Sequence, residues 1–438
     1  MAPFMLSSVN VALPAIQHEF GVNAVLLGWI ATSYLLATGI LLVPIGKFAD
    51  MYGRRKVFVT GIIVFTCGSL VAIFVPNVGL FIASRVIQGL GAAMFLTTGM
   101  AILTLVFPPA RRGWALGVLV TAVYVGLATG PFAGGLLTRY CGWRSIFVVI
   151  FLLGGGSFYV THRYLKGEWA ETSGGTFDLG GSLVYALAIF FLVYGGTRMP
   201  ELSGGMLVLA GGFGMVVFFR MQKKSRYPVF EVGLFQNNRP FLFSSLAALI
   251  HYAATFGITF QISLFLQYIK GMSPQAAGTV LMIQPVMMAL FSSQAGKLSD
   301  RIEPRVIASA GMGLTAIGLA CFVFLDPATP LWLIGANLGL LGFGFALFSS
   351  PNMSAIMGSV ERKQYGLASG TVATMRLLGQ MCSMTLVTVF LTHFIGREEI
   401  RPGNYALFLE SMRMCFAFFV VLCSIGIGFS LFRGNVRV

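Results

Sequence analysis

Three ionisable side chains and one amide lie where a water-soluble protein would not put them. Arg85 and Gln88 stand three residues apart inside the apolar run 79–107, His251 lies in the run 241–269, and Arg376 lies in the run 366–394. A charge at bilayer depth costs at least ~2.5–3.5 kcal/mol, so such residues face a polar cavity or a partner. They could hold an anion, orient a polar solute or pass a proton. Gln88 is at i+3 from Arg85, where a hydrogen bond along one helix face is possible. Arg376 is eleven residues into its run, ~16 Å by helix rise, which makes snorkelling to the interface hard. Arg413 is a third cation inside an apolar run, so the membrane core is expected to carry a positive balance.

Bond-making chemistry is not indicated. The chain has no GxxxxGK[ST] and no GxSxG, and His18-Glu19 lacks the second histidine of a zinc protease. Its six cysteines show no CxxC spacing and, except for Cys141, lie in apolar runs, as small buried hydrophobes do. No enzyme activity, metal or cofactor is expected. A membrane enzyme lacks its catalytic constellation, and a non-transporting sensor or scaffold would need a cavity filled with bulky residues.

The element that positions these residues is the membrane helix. Of 438 residues, 57% are hydrophobic and 10% charged, against about 25% charged in a soluble protein. Fourteen apolar segments follow one another, from 3–20 and 26–46 to 366–394 and 405–432, most near the ~20 residues that cross a bilayer. The net charge of +15 resides in short loops rather than on one face, so it reads as a topology signal and not as a nucleic-acid surface. With the amino terminus inside, twenty lysines and arginines fall on the inner side and six on the outer. That bias places both termini in the cytoplasm. Trp29, Trp143 and Trp332 then fall at outer ends of spans and Trp114 at an inner end, as an interfacial belt.

One loop occurs twice. GKFADMYGRRKV (46–57) and GKLSDRIEPRVI (296–307) agree at Gly46/Gly296, Lys47/Lys297, Asp50/Asp300 and Arg55/Arg305. The spacing implies duplication, with 1–165 and 241–438 as six-helix bundles and 166–240 as a linker with two extra spans, a 6+2+6 plan. Internal repeats around a central site are how transporters alternate access. In the first copy Asp50 can cap the following helix or meet another helix's positive end. Gly46 and Gly53 allow a tight turn, and Arg54 and Arg55 can form ion pairs that break as the halves rock.

The first copy resembles motif A of the major facilitator superfamily. RVIQGLGAA (85–93) looks like that family's motif B, and GLATGPFAGGLL (126–137) like its motif C, the antiporter signature. NVALP (10–14) and WRSIF (143–147) resemble segments of the fourteen-span drug:proton antiporters. The resemblance implies an all-α major facilitator fold in the plasma membrane. It implies efflux of small amphiphilic compounds in exchange for protons, or export of an organic anion, lipid or metabolite. The expected partners are a small-molecule substrate, protons and the lipid bilayer, with the chain a monomer. Gly126, Gly130 and Gly134 share one helix face, beside Pro131 and Gly135. That face is expected to pack against a helix of the opposite bundle as a hinge or seal. The family's span-1 aspartate position is Met5 here, which leaves His251 and Glu19 as titratable candidates. With Arg376 so deep and no buried acid, an anionic or zwitterionic substrate is the sharper expectation.

Overall fold

The computed structural model describes residues 1–108, 111–169, 177–236, 238–361 and 364–434. Arg362, Lys363 and Arg437, counted above as inner-side cations, lie outside the described residues, as do the side chains of Arg112 and Trp114. Among the described residues there is no strand. Fourteen long helices follow in order: α1 (Ala2–Phe20), α2 (Ala24–Tyr52), α3 (Arg54–Ile73), α4 (Val78–Val106), α5 (Arg112–Cys141), α6 (Arg144–Tyr164), α7 (Leu179–Thr197), α8 (Leu202–Lys224), α9 (Arg239–Ile269), α10 (Pro274–Ser299), α11 (Pro304–Val323), α12 (Leu331–Gly358), α13 (Tyr365–Ile395) and α14 (Tyr405–Phe432).

Thirteen of them are apolar and long enough to cross a membrane. Helix α1 is the exception, because Ser7, Ser8, Asn10, Gln17, His18 and Glu19 lower its hydropathy. It tolerates them because most of it is wrapped by other helices: Met5, Val9, Val11, Leu13 and Ile16 are buried, and so are Ser7, Ser8, Asn10 and Gln17.

The packing separates two compact units. The first comprises Met1–Ala2, Trp29–Val120 and Arg144–Gly233. In it α3 packs on α4 and α6, and α7 on α8. The α7–α8 pair closes through small residues. A Cβ on Gly195 would lie 2.7 Å from the Leu207 Cβ, and one on Gly211 would lie 2.8 Å from the Ala188 carbonyl oxygen. Glycine is what lets membrane helices approach this closely. Asp178 caps α7 by accepting from the Gly181 amide at 2.8 Å, and Gln222 of α8 donates to the same carboxylate at 2.7 Å. Tyr185 fastens the pair to α2 by donating to the Gly39 carbonyl at 3.1 Å.

The second unit comprises Pro3–Gly28, Thr121–Trp143 and Leu234–Val438. Its framework is α9 against α13 and α14, α10 against α12, and α11 against α12 and α14. It also holds α1, the start of α2 and the second half of α5. Two of its helices are interrupted. Helix α9 breaks at Phe256 and ends in a π-helical turn, Phe265–Ile269. Helix α10 breaks at Met282, three residues before Pro285, which has no N–H to give the preceding turn.

Candidate functional site

The repeated sequence is mostly helix rather than loop. Residues Gly46–Tyr52 complete α2, Arg54 opens α3, and Gly53 alone joins them. Gly53 has φ +116°, and a Cβ there would lie 2.6 Å from the Glu168 carboxylate, so both backbone and space call for glycine. The cap on α3 is supplied by Glu168 rather than by Asp50. Its carboxylate accepts from the Arg55 amide at 2.9 Å and the Lys56 amide at 3.3 Å, placing a negative charge on the helix's positive end. Asp50 instead pairs with Arg54 at 2.7 Å, one turn away on the α2–α3 corner. The Arg55 side chain donates to the Leu165 carbonyl at 2.6 Å, and the Arg54 amide to that of Trp169 at 2.9 Å. Gly46 has its nearest neighbour in Thr97 of α4. The turn is therefore strapped to the end of α6. Glu168 carried no sequence signal, since it lies outside every repeat.

Arg85 is fully buried in the first unit. Its Nη1 donates to Gln88 Oε1 at 2.6 Å and its Nε to the Ile30 carbonyl at 3.2 Å, and its guanidinium lies 4.8 Å from the centre of the Tyr34 ring. Gln88 passes the chain on by donating to Ser69 Oγ at 2.8 Å. This network ties α2, α3 and α4 together, and burial makes each of its bonds costly to lose.

His251 is also fully buried, in the second unit, with its ring 4.0 Å from that of Phe348 and 5.1 Å from that of Phe345. Neither ring nitrogen has a hydrogen-bond partner among the described residues. Buried polar groups without partners are uncommon and call for a reason. The other acid–base candidate, Glu19, is at the exposed end of α1, where it accepts from Trp143 Nε1 at 2.6 Å. Trp143 is thus a buried structural residue rather than part of an interfacial belt, whereas Trp332 is 72% exposed and fits one.

The deep cations of the second unit are held in different ways. Arg413 reaches out of α14 to donate to the Leu325 carbonyl at 3.0 and 2.9 Å, and meets Asp326 at 3.5 Å. It seals the end of α11 and the turn beyond it. Arg376 stays inside, half-buried, near the hydroxyl of Tyr252. Arg433, counted among the inner-side cations just beyond α14, is fully buried, donating to Asn352 Oδ1 at 2.8 Å and Ser244 Oγ at 3.3 Å. Burial pulls its pKa down, and nearby Glu303 opposes that shift.

The glycines of α5 make two contacts on different faces. Gly126, Gly130 and Gly134 receive α1, not a helix of the opposite bundle. A Cβ on Gly134 would lie 2.7 Å from the Ser8 backbone, and Ser8 Oγ donates to the Gly130 carbonyl at 2.9 Å. The contact with α10 comes from the adjacent face. A Cβ on Gly135 would meet the Pro274 carbonyl, and one on Gly278 would meet that of Pro131. Arg139 adds a hydrogen bond to Gln275 at 3.1 Å.

Helix α1 closes on α9 beside this crossing. Pro14 has no N–H, so the Asn10 carbonyl is left free. Ser263 Oγ donates to it at 2.8 Å, and Gln267 donates to the Val11 carbonyl at 3.0 Å. Tyr268, on the π-helical turn, donates to Gln17. The NVALP segment thus creates an acceptor for α9, a role that its residue types alone did not disclose. At the start of α2, the Ala24 amide donates to the Glu398 carbonyl at 2.9 Å. One unit therefore seals the C-terminal ends of α1, α5 and α9 with backbone acceptors and close glycine contacts.

The family model described as Major Facilitator Superfamily matches this sequence twice, over residues 1–243 and again over 244–437. The chain belongs to the Major Facilitator Superfamily. It is therefore a multi-pass membrane transporter for small molecules and not an enzyme, and its helical architecture is the major facilitator fold. Multidrug resistance protein Stp of Mycobacterium tuberculosis (strain CDC 1551 / Oshkosh) is 31% identical over 378 residues, covering 85% of this chain and 70% of that protein. Riboflavin transporter RibZ of Clostridioides difficile (strain 630) is 28% identical over 395 residues, covering 90% of this chain and 85% of that protein. Among solved structures, the human organic anion transporter MFSD10 (TETRAN) shares the fold with TM-score 0.64 and 16% identity, covering 98% of this chain and 96% of that one.

Proposed function

We propose that this chain exports small amphiphilic compounds across the plasma membrane by alternating access, in exchange for protons, as a fourteen-span drug:proton antiporter. Both termini lie in the cytoplasm, residues 1–165 and 241–438 move as bundles, and 166–240 carries the two extra spans. The observation that carries the reading is the seal of α1 and α5 upon α9 and α10. It joins helices from both sequence repeats through contacts that a rocking motion can release together: glycine–carbonyl approaches and individual hydrogen bonds. The named resistance and efflux proteins among the relatives support the direction of transport. The lysine and arginine bias supports the orientation.

In this reading the Gly53 corner, with Asp50, Arg54, Arg55 and Glu168, holds α2, α3 and the end of α6 as one rigid lever. Arg85 and Gln88 stiffen the same bundle. His251 is the titratable group within the membrane, since Met5 replaces the family's acid and Glu19 is held at the rim. The test is drug susceptibility of a strain lacking the protein, complemented by the intact gene, with and without a protonophore. Export predicts hypersensitivity that the gene rescues and the protonophore abolishes. Unchanged susceptibility across amphiphilic compounds, or rescue that a protonophore leaves intact, would refute export or proton exchange respectively.

A further inference from the structure

We infer that Arg376, Tyr252, Ser349 and Tyr124 form a subsite for an oxyanion, so that the transported amphiphile carries a carboxylate or a similar anionic group. This assignment rests on the reading of the chain as a transporter of small amphiphiles and specifies what it carries.

The four residues come from four helices, α13, α9, α12 and α5, all within the second unit. Each lies at a similar depth. Counted from the helix end on one side of the membrane, Arg376 is eleven residues in, Tyr252 thirteen, Tyr124 twelve and Ser349 nine. At about 1.5 Å per residue these are depths of ~14–20 Å, the middle of a hydrocarbon layer ~30 Å thick. The Tyr252 hydroxyl faces the Arg376 guanidinium and the Ser349 hydroxyl, and Tyr124 lies close to the same tyrosine. All four keep part of their surface exposed.

The charge balance is what points to a ligand. No carboxylate among the described residues pairs with Arg376; the protein group it meets is the Tyr252 hydroxyl. Arg413, by contrast, meets the Asp326 carboxylate and the Leu325 carbonyl. Arg376 therefore brings its fork of N–H donors to a neutral hydroxyl, and to no carboxylate among the described residues, at the depth where a charge without a counter-ion is most costly. A planar oxyanion is the partner that this fork accepts in a bidentate way. The hydroxyls of Tyr252, Ser349 and Tyr124 can donate to its remaining lone pairs. Tyr124 precedes Gly126 by two residues, so an anion held there also touches the helix that seals against α10. Binding and the seal are thereby connected through α5.

The experiment is an equilibrium titration of the purified full chain in lipid nanodiscs with two dyes of one ring system, anionic fluorescein and cationic rhodamine 123, followed by fluorescence anisotropy. The expected result is tighter binding of fluorescein. Arg376→Gln should weaken it about tenfold or more while moving rhodamine 123 by less than about twofold, since a hydrogen bond to a charged group carries ~1.5–3 kcal/mol. Arg376→Lys should keep the preference for the anion. Tyr252→Phe, which retains the ring and its packing, should weaken fluorescein about threefold to tenfold and serves if Arg376→Gln does not fold. Equal losses for both dyes, an unchanged fluorescein affinity, a preference for rhodamine 123, or no binding of either dye overturns the assignment. Dye export from cells is measured separately. Anion binding that depends on Arg376, without export, would refute the efflux reading and leave the subsite standing.

Discussion

Substitution of Gly278 by alanine tests the seal directly. The added Cβ would sit against the Pro131 carbonyl, with the carbonyl carbon 2.8 Å away. These are backbone atoms of α5, so no flexible side chain can yield, and helix α10 must back away. Overpacking of this kind costs about 1–3 kcal/mol. The penalty exists only while α5 and α10 are in contact, so it lowers the ratio of sealed to open molecules by the same amount, about 5- to 150-fold. The reporter is a cysteine at Ser263, which is fully buried and bonded to the Asn10 carbonyl across α1 and α9. It is placed in a background where the exposed Cys67, Cys141, Cys321 and Cys382 are replaced by serine. Labelling by a membrane-impermeant maleimide should accelerate in the Gly278→Ala protein. Gly205→Ala is the control, because nothing lies within 4 Å of a Cβ at that position. A folded Gly278→Ala protein labelled no faster than the control would refute the claim that this close approach holds the seal.

Other perturbations follow from the same contacts. His251→Phe keeps the aromatic stack and removes two unpartnered nitrogens, so it should stabilise the protein by about 1–3 kcal/mol, seen as a higher melting temperature. The same variant should lose protonophore-sensitive efflux, which would separate a functional imidazole from a structural one. Gly53→Ala should cost about 1–2 kcal/mol through its φ of +116° and its contact with Glu168, and thermal melting in detergent checks it. Gln88→Leu removes the acceptor of the 2.6 Å bond from buried Arg85 and should destabilise by about 1.5–3 kcal/mol. Gln88→Glu should be tolerated better, because it returns an acceptor to the guanidinium.

Much of the fold could be read from the chain because a bilayer imposes one solution on long apolar runs: a helix that satisfies its own backbone. The runs gave the helices, and the repeat of Asp50 at Asp300 agrees with the family model's two matches, over residues 1–243 and 244–437. The glycine series of α5 was legible as a close-packing face. Which helix occupies each face was not, because α1 and α10 approach at adjacent faces and spacing along α5 is the same for both. Likewise Asp50 and Glu168 are both acids that could cap α3. Only folding decides that Glu168, more than a hundred residues away, reaches the Arg55 amide while Asp50 is taken by Arg54.

Sequence alone therefore determined the helical membrane class and the presence of Arg85, His251 and Arg376 within long apolar helices, since these follow from local hydropathy and residue counting. Tertiary structure decided what each cation does. Arg85 is absorbed by Gln88 and the Ile30 carbonyl, Arg413 by Leu325, and Arg433 in part by Asn352, while Arg376 faces Tyr252 with no carboxylate among the described residues. The physical reason is that a charge's role depends on the acceptors that other helices bring to it, and those come from positions far away in the chain.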